Sequence, residues 1–289
     1  MQPFDRENAF NRDGWPLLDL NGVGFDYHRS AASARPTLCD VSFAVSKGQA
    51  VGLIGQSGSG KSTIAKLVLG LARPRQGTIS FEGGPVTHHD LQSFRRRVQP
   101  IFQNPMDALD PRMTVGDQLM EPLLVNFRLP RSERMERVAA ALESVGLSMA
   151  IAAKLPRHIS GGQAQRVTIA RALLVEPELL ICDEPVSALD MTVQAQILNL
   201  LNELRERRGL SLLFISHDIR AISYLCSEIV VLHRGRVVES GLREDVLLRP
   251  AAEYTRTLLA SVPSKTQRSA PVAGRESLSS EGPEKAVLQ

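Results

Sequence analysis

The sequence predicts an α/β fold around a buried sheet, and three observations predict it. First, Gly55-Gln56-Ser57-Gly58-Ser59-Gly60-Lys61-Ser62 matches the phosphate-cradling pattern G-x-x-x-x-G-K-[ST] at every specified position. It follows the apolar, β-rich run Ala50-Val51-Gly52-Leu53-Ile54 and precedes Ile64, Leu67, Val68 and Leu71, which recur at helical spacing. Second, two more short apolar runs end in polar groups: Leu179-Leu180-Ile181-Cys182 in Asp183-Glu184, and Ser211-Leu212-Leu213-Phe214-Ile215-Ser216 in His217-Asp218. In doubly wound sheets, ligands bind outside the carboxyl ends of such strands. Third, Met106 to Pro156 changes to a helical character, a segment inserted into the α/β core.

Composition sets bounds. The chain has 289 residues, a net charge of +3 and ordinary apolar and charged fractions, which fits a globular protein with a sizeable core. The charge is too small to argue for nucleic acid, and Arg95-Arg96-Arg97 is expected on a solvated face. Cys39, Cys182 and Cys226 are widely spaced and odd in number, which favours reduced thiols over a disulfide framework or a metal site. No apolar stretch approaches the roughly 18 residues of a membrane span, and no basic-then-apolar leader is expected, so any membrane role falls to a partner.

In chain order, residues 1–16 read as a loose lead-in. Leu17 to Tyr27 alternates weakly and suggests one or two edge strands, with Tyr27 standing before a loop. That aromatic could stack on a base or simply pack at a strand end. Val41 to Val45 alternates as a strand and Ser46 to Gln49 is a turn. In the phosphate loop, glycines let successive N–H groups point inward, and the following helix adds its N-terminal N–H groups and positive dipole end. Lys61 supplies a charge for the β- and γ-phosphates, and the Ser62 hydroxyl can coordinate Mg²⁺.

Thr78 to Phe81 and Val98 to Phe102 read as strands, with Gln103 at the end of the second and a loop opening at Asn104-Pro105. Gln103 could reach Mg²⁺ or an attacking water, or could be a polar strand cap. Thr114 and Asp117 resemble a capping box; Met135, Val138, Ala139 and Leu142 share a helical face that Gly146 ends. Ser160 is a good N-cap for a helix running through Leu174, and Gly161-Gly162 lets backbone amides approach an anion. Asp183 can hold Mg²⁺, and Glu184 can take a proton from an attacking water. Ser187 to Asp190 turns into an amphipathic helix carrying Val193, Ile197, Leu200, Leu201 and Leu204, closed by Gly209. His217 stands where a γ-phosphate contact is expected. A hairpin (229–239), a short helix (254–259) and a disordered tail (264–289) complete the chain.

Taken together, the ordered motifs resemble the nucleotide-binding subunit of an ATP-binding-cassette (ABC) transporter. The quoted segments are Gly55 to Ser62, Gln103, Ile159 to Gln163, Leu179 to Glu184, Ser187 to Asp190 and His217, and the resemblance covers about Leu17 to Pro263. Within that family the chain is most similar to ATPases of peptide or nickel importers, on three segments. These are Phe102-Gln103-Asn104-Pro105 with Pro111-Arg112 and Thr114-Val115, then Ala188-Leu189-Asp190 with Val193 to Ile197, and Glu253-Tyr254-Thr255 with Leu258 to Pro263. Ile159 stands where the family usually has Leu. No cysteine follows Cys226, so the iron–sulfur cluster that many relatives could hold there is not expected.

The resemblance implies a RecA-like, mostly parallel sheet with an N-terminal antiparallel β-subdomain and an inserted helical subdomain at about 104–160, within an ATPase domain of 17–263. It implies ATP and Mg²⁺ as ligands. Tyr27, Gly55, Gln56, Ser57, Gly58, Ser59, Gly60, Lys61, Ser62, Thr63 and Gln103 would bind ATP, and Ser62, Gln103 and Asp183 would place the metal. Glu184, His217 and Lys61 would serve catalysis. Ser160, Gly161, Gly162, Gln163 and Asp190 would complete the ATP site of an opposite subunit. Implied partners are integral membrane permease chains, a second cassette ATPase, identical or related, and indirectly an external substrate-binding protein. Nucleic acid is not among them. The implied place is the cytoplasmic face of a bacterial inner membrane. An exporter subunit, or a cassette ATPase acting outside transport, is the alternative; the expected absence of a fused membrane domain, coiled coil or zinc insertion weighs against both.

Overall fold

The computed structural model describes residues 15–27, 36–86 and 91–261. The lead-in expected over 1–16 lies outside them except for its last two residues, as do most of the loop after Tyr27 and the tail beyond Ser261.

The described residues open with strands β1 (Leu18–Phe25), β2 (Leu38–Val45) and β3 (Ala50–Ile54), then helix α1 (Lys61–Val68). Next come β4 (Gln76–Phe81), the two-residue β5 (Gly84–Pro85), α2 (Leu91–Arg97) and β6 (Val98–Ile101). A run of helices follows: α3 (Val115–Asn126), α4 (Arg131–Ser144), two short 3₁₀ turns (Met149–Ala153 and Pro156–His158) and α5 (Gly161–Leu173). The rest is β7 (Leu179–Asp183), α6 (Met191–Arg208), β8 (Ser211–Ile215), α7 (Ile219–Leu225), β9 (Glu228–His233), β10 (Arg236–Leu242), α8 (Arg243–Leu248) and α9 (Glu253–Ala260).

Two sheets result. Six strands lie in the order β10-β9-β3-β8-β7-β6, parallel except for the β10 edge, while β2-β1-β4-β5 forms a smaller antiparallel sheet. The parallel strands read as unbroken apolar runs because both faces are covered. Val51 and Leu53 of β3, with Ile181 and Leu213, join a core with Leu20, Val41 and Phe43 of the antiparallel sheet and Ile64 of α1. The alternate residues Ala50, Ile54, Leu180, Leu212 and Phe214 pack instead with Ile169 of α5 and Ile197 and Leu201 of α6. Successive side chains therefore serve two different cores.

Four expectations need correction. Leu17 to Tyr27 makes one strand, and it is interior, hydrogen-bonded to β2 on one side and β4 on the other. The left-handed Gly22 lies at an irregularity of the register, which explains the weak alternation. Leu71 is not on the α1 face: the helix ends before the left-handed Gly70, leaving Leu71 exposed. Met135 is exposed as well, and α4 buries Val138, Ala141 and Leu142. Arg97 is not merely solvated; its guanidinium bonds Glu178 and Glu82 and lies over the Phe81 ring. It ties the parallel sheet to the smaller one. Helices α2, α7 and α8 had no reading from the sequence, being too short for a periodic signal.

The local caps follow the residue types. Thr114 accepts from the Asp117 N–H at the start of α3, and Ser160 and Gln163 form a reciprocal capping box on α5. Asp190 caps α6 through the N–H groups of Thr192 and Val193, and left-handed Gly209 ends that helix.

Candidate nucleotide site

Four adjacent parallel strands deliver the site. At their carboxyl ends stand the phosphate loop (β3), His217 (β8), Asp183 and Glu184 (β7) and Gln103 (β6). A cleft of about 700 Å³ is lined by Ser57, Gly58, Gly60, Lys61, Ser62, Thr63, Gln103, Glu184 and His217. Thr37, which had no signal in the sequence, completes the lining.

The loop needs glycine where it touches its frame. Gly60 has φ +110°, and a Cβ there would meet Leu38 Cδ2 at 2.6 Å. A Cβ on Gly55 would stand 2.2 Å from the Leu232 carbonyl of β9. Lys61 folds back so that Nζ donates to Gly55 O at 2.8 Å and Gln56 O at 3.1 Å. Burial lowers the pKa of this ammonium, and the Glu184 and Asp183 carboxylates act in the opposite sense.

Glu184 leaves the strand with φ +51°, a left-handed conformation that costs a non-glycine residue about 1–2 kcal/mol. Its N–H donates to Ile215 O at 2.9 Å, and its carbonyl accepts from the Ser187 hydroxyl at 3.1 Å. This turn carries the carboxylate from β7 to His217 beyond β8, where Oε2 and Nδ1 are 2.9 Å apart. Asp183, one residue earlier, stays behind. Burial raises its pKa, while the hydrogen bond from Ser62 works against that. Its Oδ1 is buried with no partner among the described residues.

An orphaned carboxylate oxygen on a side chain that the Ser62 hydroxyl bonds is a pair of hard oxygen donors that fits Mg²⁺, and Gln103, two residues beyond β6, lines the same cleft as Ser62. Of the three residues expected at the metal, Ser62 and Gln103 line the cleft, and Asp183 stands behind it in contact with Ser62.

Other expected residues are distributed differently. Tyr27 does not line the cleft; its hydroxyl lies 3.3 Å from Thr63 Oγ1, its ring meets Phe25 edge-on, and Lys66 stands over it. Gly55 and Gln56 line a neighbouring cavity with Ser187, Met191 and Arg220. Ser160, Gly161, Gly162 and Gln163 do not line the cleft but form the first turn of α5, where Gly162 packs against Val193. Asp190 is likewise remote from the lining, at the start of α6. The three cysteines are free thiols, and burial pushes those of Cys182 and Cys226 upward, away from reactivity.

A parallel sheet with a phosphate loop, an acidic pair on the neighbouring strand ends and a histidine beside it defines a P-loop nucleoside-triphosphate hydrolase. The chain belongs to the ABC transporter family, whose match spans residues 38–187. A Brucella ovis protein, provisionally named a peptide import ATP-binding protein, is 45% identical over 252 residues, covering 86% of this chain and 79% of its own length. The dipeptide transport ATP-binding protein DppF of Haemophilus influenzae is 37% identical over 260 residues, covering 87% and 80%. Among solved structures, cbiO1 of Clostridium perfringens, part of the ABC transporter complex cbiONQ, aligns with a TM-score of 0.73 at 28% identity, covering 81% of this chain and 91% of its own. A dimeric ATP-binding cassette in a post-hydrolysis state, bound to ADP and Pi, aligns with a TM-score of 0.70 at 29% identity, covering 78% and 99%. The chain is an ATP-binding, ATP-hydrolysing cassette of this family. No helix among the described residues is long and apolar enough to cross a membrane.

Proposed function

We propose that this chain is the ATPase subunit of an importer for short peptides, working on the cytoplasmic face of the membrane with separate permease chains. The observation that carries hydrolysis is the Glu184–His217 pair, 2.9 Å apart beside the Lys61 loop. The names of the Brucella and Haemophilus relatives support peptides, including dipeptides, as cargo. Nickel or a metal chelate is the other cargo class that the resemblance implies.

The residues divide the work. Lys61, held by the Gly55 and Gln56 carbonyls through two of its N–H groups, gives the third to phosphate oxygens, and the amides of the loop residues that line the cleft, Ser57, Gly58 and Gly60 to Thr63, cradle them. Glu184 accepts the proton of the water that attacks the γ-phosphate, and His217 orients that carboxylate and steadies the phosphate. Ser62, Asp183 and Gln103 would hold Mg²⁺, which neutralises charge on the β- and γ-phosphates. Tyr27 stacks on the base.

Ser160, Gly161, Gly162, Gln163 and Asp190, which stand away from this chain's cleft, contact the nucleotide held by a second cassette. ATP then joins two subunits and hydrolysis releases them. The helices between β6 and β7, within the 104–160 insertion of a 17–263 ATPase domain, pass the motion with Gln103 to the permease. An external binding protein delivers cargo to the permease, and this chain never touches it.

The test is uptake of labelled dipeptide, oligopeptide and nickel by intact cells, comparing wild type with Glu184→Gln. Selective loss of peptide uptake is expected. Loss of nickel uptake alone would reassign the cargo, and unchanged uptake of all three would count against the importer reading.

A further inference from the structure

The peptide joining Gly55 to Gln56 is hydrogen-bonded at both ends. Its carbonyl accepts from Lys61 Nζ at 2.8 Å. Its N–H donates to the hydroxyl of Tyr254 at 3.1 Å, a residue 198 positions further along the chain. A trans peptide carries C=O and N–H on opposite sides, so these two bonds hold the plane of one peptide between the loop's lysine and helix α9. A cation on the carbonyl polarises the peptide and strengthens the N–H as a donor.

Tyr254 is itself well supported. Its ring packs on His233, centroids 3.8 Å apart and tilted by 35°. His233 ends β9, and the residue before it, Leu232, presses its carbonyl against Gly55. The two Glu239 oxygens of β10 accept from the N–H groups of Ala251 and Ala252 at 2.7 and 3.1 Å, which fixes the entry to α9. The β9–β10 hairpin thus sets both the outer wall of the loop and the position of the tyrosine.

We propose that Tyr254 is a positioning residue for the phosphate loop: through the Gly55–Gln56 peptide it places Lys61 and sets the affinity for nucleotide phosphate, linking helix α9 to nucleotide binding. The inference rests on the reading of the loop as the ATP site. Tyr254 touches no reacting atom, so its effect falls on binding rather than on the chemical step.

Tyr254→Phe keeps the ring on His233 and removes only the hydroxyl. Expected are a rise of up to about fivefold in Kd and KM for ATP, the ceiling set by one neutral hydrogen bond, an unchanged kcat, and a melting temperature without nucleotide lowered by no more than that one bond is worth. Amide exchange at Gln56 in nucleotide-free protein should also quicken. Tyr254→Ala should weaken ATP binding at least as much. Unchanged affinity and unchanged Gln56 exchange in Tyr254→Phe would overturn the proposal. So would a lowered melting temperature with KM intact, which is the mark of packing alone. Failure of the wild type to bind ATP would instead overturn the reading of the site, while exchange at Gln56 would still decide whether Tyr254 fixes the loop.

Discussion

His217 Nδ1 lies 2.9 Å from Glu184 Oε2, so the histidine at the end of β8 and the acid at the end of β7 form one unit. Only the left-handed turn at Glu184 makes this possible, since a regular extension of β7 would carry the carboxylate along the strand instead. With Nδ1 engaged, Nε2 remains for a second partner, which the proposed mechanism assigns to phosphate.

Removing the histidine should therefore hurt the chemical step more than binding. His217→Ala is expected to lower kcat for ATP hydrolysis by about 10²-fold, the lower range for removing one positioned donor to developing charge. KM for ATP should change by far less. Steady-state phosphate release over a range of ATP concentrations checks the split.

Gly162 sits where α5 meets α6, and a Cβ there would stand 2.6 Å from Val193 Cγ1. Gly162→Ala is expected to displace the first turn of α5 while leaving the chain's own phosphate loop intact. ATP binding by the isolated subunit should stay within about twofold, because a contact far from the loop adds independently. ATP-driven dimerisation should weaken, read by sedimentation. Loss of ATP binding in the monomer would show that these residues serve their own cleft.

The Arg97 fork joins Glu178, just before β7, to Glu82 of the smaller sheet, with Nη2 2.8 Å from Glu178 Oε2. This hydrogen bond, with the charges of Arg97 and Lys47, holds the Glu178 carboxyl below its ordinary value of 4.5. A depressed folded pKa adds stability that is full above the ordinary value and is lost as pH falls through the folded one. Glu178→Gln should thus cost about 1 kcal/mol near neutrality, the side chains being partly solvated. The gap between the variant and wild type should begin to narrow as pH falls below the ordinary value of 4.5 and vanish once pH has passed the depressed folded value. Urea titrations across that range measure it.

Most of the site was legible in the sequence because its chemistry is local. Gly55 to Ser62 declares itself by spacing, and Asp183, Glu184 and His217 each end an apolar run. The direction of Glu184 was not legible, because a left-handed turn at a non-glycine residue has no compositional mark. Tyr254 and Thr37 reach the loop only through tertiary packing, from segments distant in the chain. In the fold, strands buried on both faces were plain, as was α6 with its stripe from Ile197 to Leu204. The interior place of β1 was hidden by the irregularity at Gly22, and α2 and α7 are each only seven residues long.

The most direct test of the account is phosphate release and ATP retention by purified wild type and Glu184→Gln with Mg²⁺-ATP. Wild type is expected to turn over. The variant should hold ATP with near-normal affinity while its turnover falls by about 10²-fold or more, as loss of a general base requires. Wild-type turnover in Glu184→Gln would contradict the assignment of Glu184 and, with it, the mechanism built on its pairing with His217.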